Sequence, residues 1–164
     1  MDIKDNTDWN MLEQQAMREY NDKVLKWLTK LGEEMVRHAR LDRAGGVHHF
    51  TDRTGNLRSS IGYVIVQYGK VVTSVFNGDT LPAEGYEKWH DAAKAQSNSI
   101  LYAESVARTL DQGKTWLILV AGMEYAYYVE AKGFDVITGT GNWVEANTER
   151  FIADFQKYLI SKVQ

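Results

Sequence analysis

Apolar residues recur at steps of three and four from the start of the chain: Trp9, Leu12, Ala16, Tyr20, Val24, Trp27, Leu28, Leu31, Met35 and Ala39. This spacing predicts one long amphipathic helix over about 8–41. Thr7 or Asp8 is placed to cap it. Asp8 and Glu13 lie toward its positive end, and Arg37, Arg40 and Arg43 toward its negative end. At ~1.5 Å per residue it spans roughly 50 Å, longer than a small domain is wide. Part of it is therefore expected to project or to lie on another subunit. Gly32 marks an expected bend, at about 1 kcal/mol against alanine.

The period changes after Gly45 and Gly46. "NLRSSI" reads as one short helical turn. Tyr63, Ile65 and Gln67 then point one way and Val64, Val66 and Tyr68 the other, with a turn at Gly69–Lys70 into Val71–Phe76. This is a β-hairpin, and its first strand is apolar on both faces, so both should be covered. The stretch 77–98 holds the only proline, Pro82, and reads as a surface excursion. A second helix is expected over about 92–111, with Ile100, Ala103, Ala107 and Leu110 as its stripe and Gly113 closing it. "KTWLILVAG" reads as a buried strand, "EYAYYVEAK" as another, and "GFDVITGTGN" as loop with room for a short strand. The last helix runs over about 143–163, capped by Asn142, with Val144, Phe151, Ile152, Phe155 and Leu159 on one face. The order α, ββ, α, ββ, α predicts an α+β fold: a mainly antiparallel sheet with a long N-terminal, a middle and a C-terminal helix. We read 1–164 as a single domain, the long helix followed by an α+β body over about 54–164.

Composition narrows the function. At 164 residues the chain can bury about 70% of the surface its unfolded form exposes. A net charge of −3 gives no general pull toward nucleic acid or an anionic membrane. There is no cysteine, which excludes disulfides and thiolate metal sites and fits a reducing cytoplasm. "MDIKDNTDWN" has no apolar core, so no signal peptide is expected there, and no apolar run approaches the ~20 residues of a membrane span.

No motif has the spacing that chemistry needs. "TGNLRSS" lacks the two glycines around four residues of a phosphate loop; it reads as a helix start, with Thr54 or Asn56 capping, Leu57 and Ile61 facing inward, and Arg58 in solvent or on a partner. His48 and His49, with His38 and His90, raise a metal site, but adjacent histidines on extended chain point apart and no metal-ligand spacing joins them. Glu124 and Glu130, six apart in the expected strand, lie ~20 Å apart, too far for paired-carboxylate glycoside cleavage. Ser59–Ser60 has no nucleophile elbow, and "GTG" at 139–141 is a lone glycine pair. No catalytic, cofactor or metal site is expected. What remains is aromatic content: 5 Trp, 9 Tyr and 5 Phe, with Tyr125, Tyr127 and Tyr128 crowded together. Aromatics are core residues first, and are also enriched at protein interfaces.

"RTGNLRSSIGYVIV" (53–66) and "LVAGMEYAYYVEAKG" (119–133), in this order after a long helix, resemble the neck or tail-completion proteins of long-tailed bacteriophages. Thr54, Gly55, Leu57, Ser60 and Ile61 match that family's first motif; Tyr125, Ala126, Tyr128, Val129, Glu130 and Gly133 match its second. The family's proline-phenylalanine stretch before the last helix is missing, and glycines supply the break instead; the excursion at 77–98 is longer than usual.

The resemblance implies a structural virion protein without turnover. It would form a homo-oligomeric ring or collar between the portal or adaptor and the tail tube, assembled in the host cytoplasm, with no cofactor, specific nucleic acid or membrane as partner. Arg53, Arg58, Tyr125, Tyr127 and Glu130 are its candidate interface residues. Three alternatives stay open: a tail terminator in the same junction, a small hydrolase or cell-wall enzyme, and a bacterial protein of a prophage or contractile injection system that reuses this module.

Overall fold

The computed structural model describes residues 8–42, 50–76, 88 and 90–160. Helix α1 (Trp9–Arg37) begins at Asp8, whose carboxylate accepts the Met11 N–H at 3.2 Å. It ends in a widened π-turn, His38–Asp42. A short helix α2 (Asn56–Ser60) leads directly into β1 (Ile61–Gln67). The hairpin returns as β2 (Lys70–Val75) through Tyr68 and Gly69, both at positive φ, so the turn lies one residue earlier than the sequence indicates. Helix α3 (Ala92–Ala107) and strand β3 (Thr115–Ala121) follow. Three helices close the described chain: α4 (Ala126–Ala131), α5 (Thr138–Ala146) and α6 (Thr148–Ile160).

The fold is α+β. The sheet is antiparallel, three-stranded, in the order β2-β1-β3. The expected double cover of β1 is present. Tyr63 and Ile65 face α1 and cluster with Val36, while Val64 and Val66 face α3 and cluster with Ala103 and Ala107. Val64 and Val66 are fully buried, as are Tyr63 and Ile65. Burial of a whole strand on both faces, at about 2 kcal/mol per large side chain, makes β1 the centre of the core.

Gly32 does not bend α1, which runs through it. Here the helix crosses the sheet: a Cβ on Gly32 would lie 2.5 Å from the Tyr63 ring. The missing side chain admits the ring, so the glycine is a contact feature and not a hinge.

Three further expectations are corrected. "EYAYYVEAK" is not a strand. Ala126, Val129 and Glu130 turn inward at helical spacing, and Gly133, at φ 83°, ends α4 by donating to the Glu130 carbonyl at 2.9 Å while Phe134 donates to that of Val129 at 3.2 Å. This is a left-handed glycine cap. The single last helix is two, and "TGTGN" is not loop but the first turn of α5. Asn142 therefore lies inside a helix and caps nothing. The middle helix ends at Ala107, short of Asp111. His48, His49, and most of the excursion at 77–98 lie outside the described residues.

Candidate functional site

The two sequence motifs fold against each other. The first is built around Asp52. Its carboxylate accepts the Gly55 N–H at 2.9 Å and the Arg58 N–H at 2.7 Å. Asp52 supplies the strongest cap of α2, and the expected Thr54 adds to it, its hydroxyl accepting the Asn56 N–H at 3.3 Å; Asn56 is instead the first residue of the helix. Gly55 holds φ 79°, a conformation that costs a side-chain-bearing residue roughly 1 kcal/mol or more. Leu57, Ser60 and Ile61 are buried behind it, and the Ser60 hydroxyl donates to the Leu57 carbonyl at 2.7 Å.

The second motif meets the first through Tyr125. Its hydroxyl lies beside the Thr54 side chain and the Leu57 backbone, and Ala126 next to it packs in one core cluster with Leu57 and Ile61. Burial raises its pKa, and the nearby Asp52 charge adds to that, so the phenol stays protonated at neutral pH. Tyr125 and Arg53 share a cleft of about 480 Å³ with Phe50, Tyr128, Lys132 and Phe134. This surface brings two cations beside aromatic rings.

Arg58 corrects the sequence reading. It is not left for solvent or a partner: it is 6% exposed, with its guanidinium over the Phe50 ring at 5.4 Å. Burial lowers its pKa, and Asp52 opposes that shift. Arg53 alone of the two arginines is exposed. Tyr127 and Tyr128 are exposed and stand edge to face, ring centroids 6.0 Å apart.

Glu130 is committed inside the molecule. Its carboxylate accepts the N–H groups of Val136, Ile137 and Thr138 at 3.0, 2.7 and 3.0 Å. Asp135 takes the next one, Gly139, at 2.8 Å. Two carboxylates thus occupy the start of α5, where the lone "GTG" had raised a phosphate site. Partial burial pushes the Glu130 pKa up, but the backbone N–H groups of Ile137, Thr138 and Val136 that donate to it outweigh this, and the net shift is downward. Such a carboxylate stays charged at neutral pH. Glu124 lies before α4, so the strand separation expected for the two carboxylates does not apply.

Behind the motifs sits a joint that sequence reasoning missed. Arg40, 2% exposed, donates through Nε to the Ile61 carbonyl at 3.0 Å and through Nη2 to Phe76 at 2.9 Å, with Ser59 at 3.4 Å. Burial, then the charge of Arg58, lower its pKa to about 10. The Ser99 hydroxyl lies 2.7 Å from the Ser60 carbonyl and accepts the Gly122 N–H at 3.0 Å. Together they tie α1, α2, α3 and the ends of the strands.

The two described histidines are engaged separately. His38 pairs with the Thr140 hydroxyl at 2.9 Å and stacks on Trp143, while His90 meets the Thr54 carbonyl at 3.1 Å. Among the described residues no three histidine or acidic side chains group as a metal site, and no helix is long and apolar enough to cross a membrane.

No protein family matches the chain, and neither a curated protein nor a solved structure does.

Proposed function

We propose that the chain is a structural subunit of the head–tail junction of a long-tailed phage or prophage, working as copies of itself in a ring or collar. The observation that carries this reading is the shared core of the two stretches: Leu57 and Ile61 of the first pack in one cluster with Ala126 of the second, and Val129 packs against it. The cluster joins the two stretches that carry the family resemblance, though they lie about sixty residues apart. Finding the two motifs in one chain has a physical sense in such a joint, because each supplies apolar side chains that the other covers.

The surface agrees with assembly. Leu101, Tyr102, Tyr127 and Tyr128 are large, exposed and on adjoining elements. Among the described residues β2 and β3 are free sheet edges, which soluble chains usually shield or pair. Arg40 and Ser99, buried polar groups with distinctive surroundings, are held by backbone, and Glu130, which lines a groove beside β3, is held by three backbone N–H groups. That is the disposition of groups that shape a fold.

The test is deletion of the gene in a phage or prophage that carries it, with the lysate viewed by electron microscopy. The proposal expects filled heads and finished tails lying separate, and joined particles on complementation. Joined, infectious particles without the gene rule it out.

A further inference from the structure

Helix α1 outruns the body it packs on. Glu34 meets Arg150 at 3.2 Å and Trp27 meets Phe155 with ring centroids 4.8 Å apart, so α1 and α6 run antiparallel. Following that pairing, the end of α6 at Ile160 comes level with about Asp22 of α1. Every described residue from Asp8 to Tyr20 is exposed. This half of the helix extends beyond the described body by roughly 18 Å.

The projecting half is not polar. Trp9, Leu12 and Tyr20 continue the same stripe that packs against the body further on at Trp27 and Met35, with Met17 at its border. Trp9 is 71% exposed and Leu12 45%. Together these four side chains leave roughly 450 Å² uncovered, about half of one side of a standard interface. Among the described residues nothing covers this half of the stripe, and exposed apolar surface of this extent marks interaction sites. Its steps of three, four and four drift from a heptad, which disfavours a two-stranded coiled coil with its own copy.

The same chain carries an open concavity. A groove of about 720 Å³ runs along β3, whose outer edge no other described strand pairs, walled by Tyr102, Ile118, Val120, Tyr127 and Ile137, with the Glu124 and Glu130 side chains also in its lining. No α1 residue lines it. The geometry points to a head-to-tail contact between copies: the Trp9–Tyr20 half of α1 of one chain lies in the β3-edge groove of the next. Each copy then offers one helix and one groove. Such a heterologous contact closes into a ring when its rotation permits and otherwise runs on as a filament. The proposal rests on the assembly reading above and gives it a specific interface.

The absence of cysteine allows a clean test. Leu12→Cys and Tyr127→Cys chains are made separately, mixed, and treated with a short bismaleimide. The contact predicts cross-linked dimers in the mixture and none in either variant alone. In parallel, Leu12→Asp is compared with the unaltered chain by native mass spectrometry over a concentration series, with circular dichroism to verify the fold. The expected result is at least a tenfold weaker association at unchanged helicity. If the unaltered chain forms oligomers that ignore Leu12→Asp and give no mixed cross-link, the helix-in-groove contact is wrong and the assembly reading stands. Cross-linking of Leu12→Cys with itself replaces the contact by an α1–α1 pair. A chain that is monomeric at every concentration overturns the contact and self-assembly together.

Discussion

Glu130 accepts the Ile137 N–H at 2.7 Å, the shortest of three backbone bonds that fasten the end of α4 to the start of α5. One carboxylate thus does the work of a helix cap from outside the helix. Replacing it by alanine leaves three N–H groups without their acceptor. Glu130→Ala should lose about 1–3 kcal/mol in urea denaturation, with Glu130→Gln losing less, because its amide oxygen still accepts.

The pH dependence follows from the sign of the shift. The folded state holds the Glu130 pKa below the unfolded value, so between the two the unfolded chain binds more protons and stability rises with pH. The contribution is complete above the ordinary glutamate range and is lost as pH falls through the lower, folded-state pKa. The stability gap between the unaltered chain and Glu130→Gln should therefore narrow as pH is lowered below about 4.3. A gap that stays constant down to acid unfolding would show that charge is not what Glu130 contributes.

Arg40 is the residue whose loss should be felt most widely. Arg40→Met leaves the carbonyls of Ile61 and Phe76 buried without their donor, at about 1–3 kcal/mol each. Arg40→Lys should recover little, since one ammonium on a flexible stem does not reproduce a planar fork. Thermal melts of both variants, reading a fall of well over 5 °C, check this. A lysine variant as stable as the original would mean that positive charge alone suffices.

At Gly32 two effects oppose each other. Alanine gains up to about 1 kcal/mol of helix propensity but drives a methyl into the Tyr63 ring, and overpacking costs typically 1–3 kcal/mol. Tyr63 is fully buried and has nowhere to go, so the steric effect should win and Gly32→Ala should destabilise. The double variant with Tyr63→Leu should recover part of that loss. Stabilisation by Gly32→Ala alone would return the glycine to the role of a hinge.

Much of this architecture is legible in the sequence, because burial writes a period. The α1 stripe, the hairpin and its double cover, α3 and β3 each follow from apolar spacing. Leu57 and Ile61 are inward as their place after a turn requires. The errors have two physical sources: short elements fixed by caps rather than by periodicity, and side chains whose partners only the tertiary fold brings near. Helix α4 is too short for its stripe to outweigh its strand-favouring tyrosines and valine. The signal that identifies it is Gly133, three residues after Glu130, in the position of a left-handed cap. Helix α5 starts at a glycine-rich run because carboxylates four to eight residues earlier, outside the usual capping spacing, hold its first amides. Arg58 looks solvated in the sequence, since nothing local announces that Phe50 and Asp52 will enclose it. Arg40 sits on the predicted helix, but its carbonyl partners come from elements that only the tertiary fold brings near.

The two arginines of the first motif should now behave differently. Arg53→Glu changes an exposed residue and should leave stability within about 0.5 kcal/mol. Arg58→Glu places a buried negative charge beside Asp52 and should cost about 3–5 kcal/mol, giving insoluble or unfolded protein. Circular dichroism of both separates a fold defect from an assembly defect. An Arg58→Glu chain as stable as the original would place that side chain on the surface after all.

The most direct measure of the assembly account is joining itself. Heads and tails are purified from a phage lacking this gene, mixed with the purified chain, and counted as infectious particles. The account predicts that titre rises with added protein from background by orders of magnitude, and that electron micrographs show the tails attached. No rise in titre, with heads and tails that do join when other missing components are supplied, would contradict it.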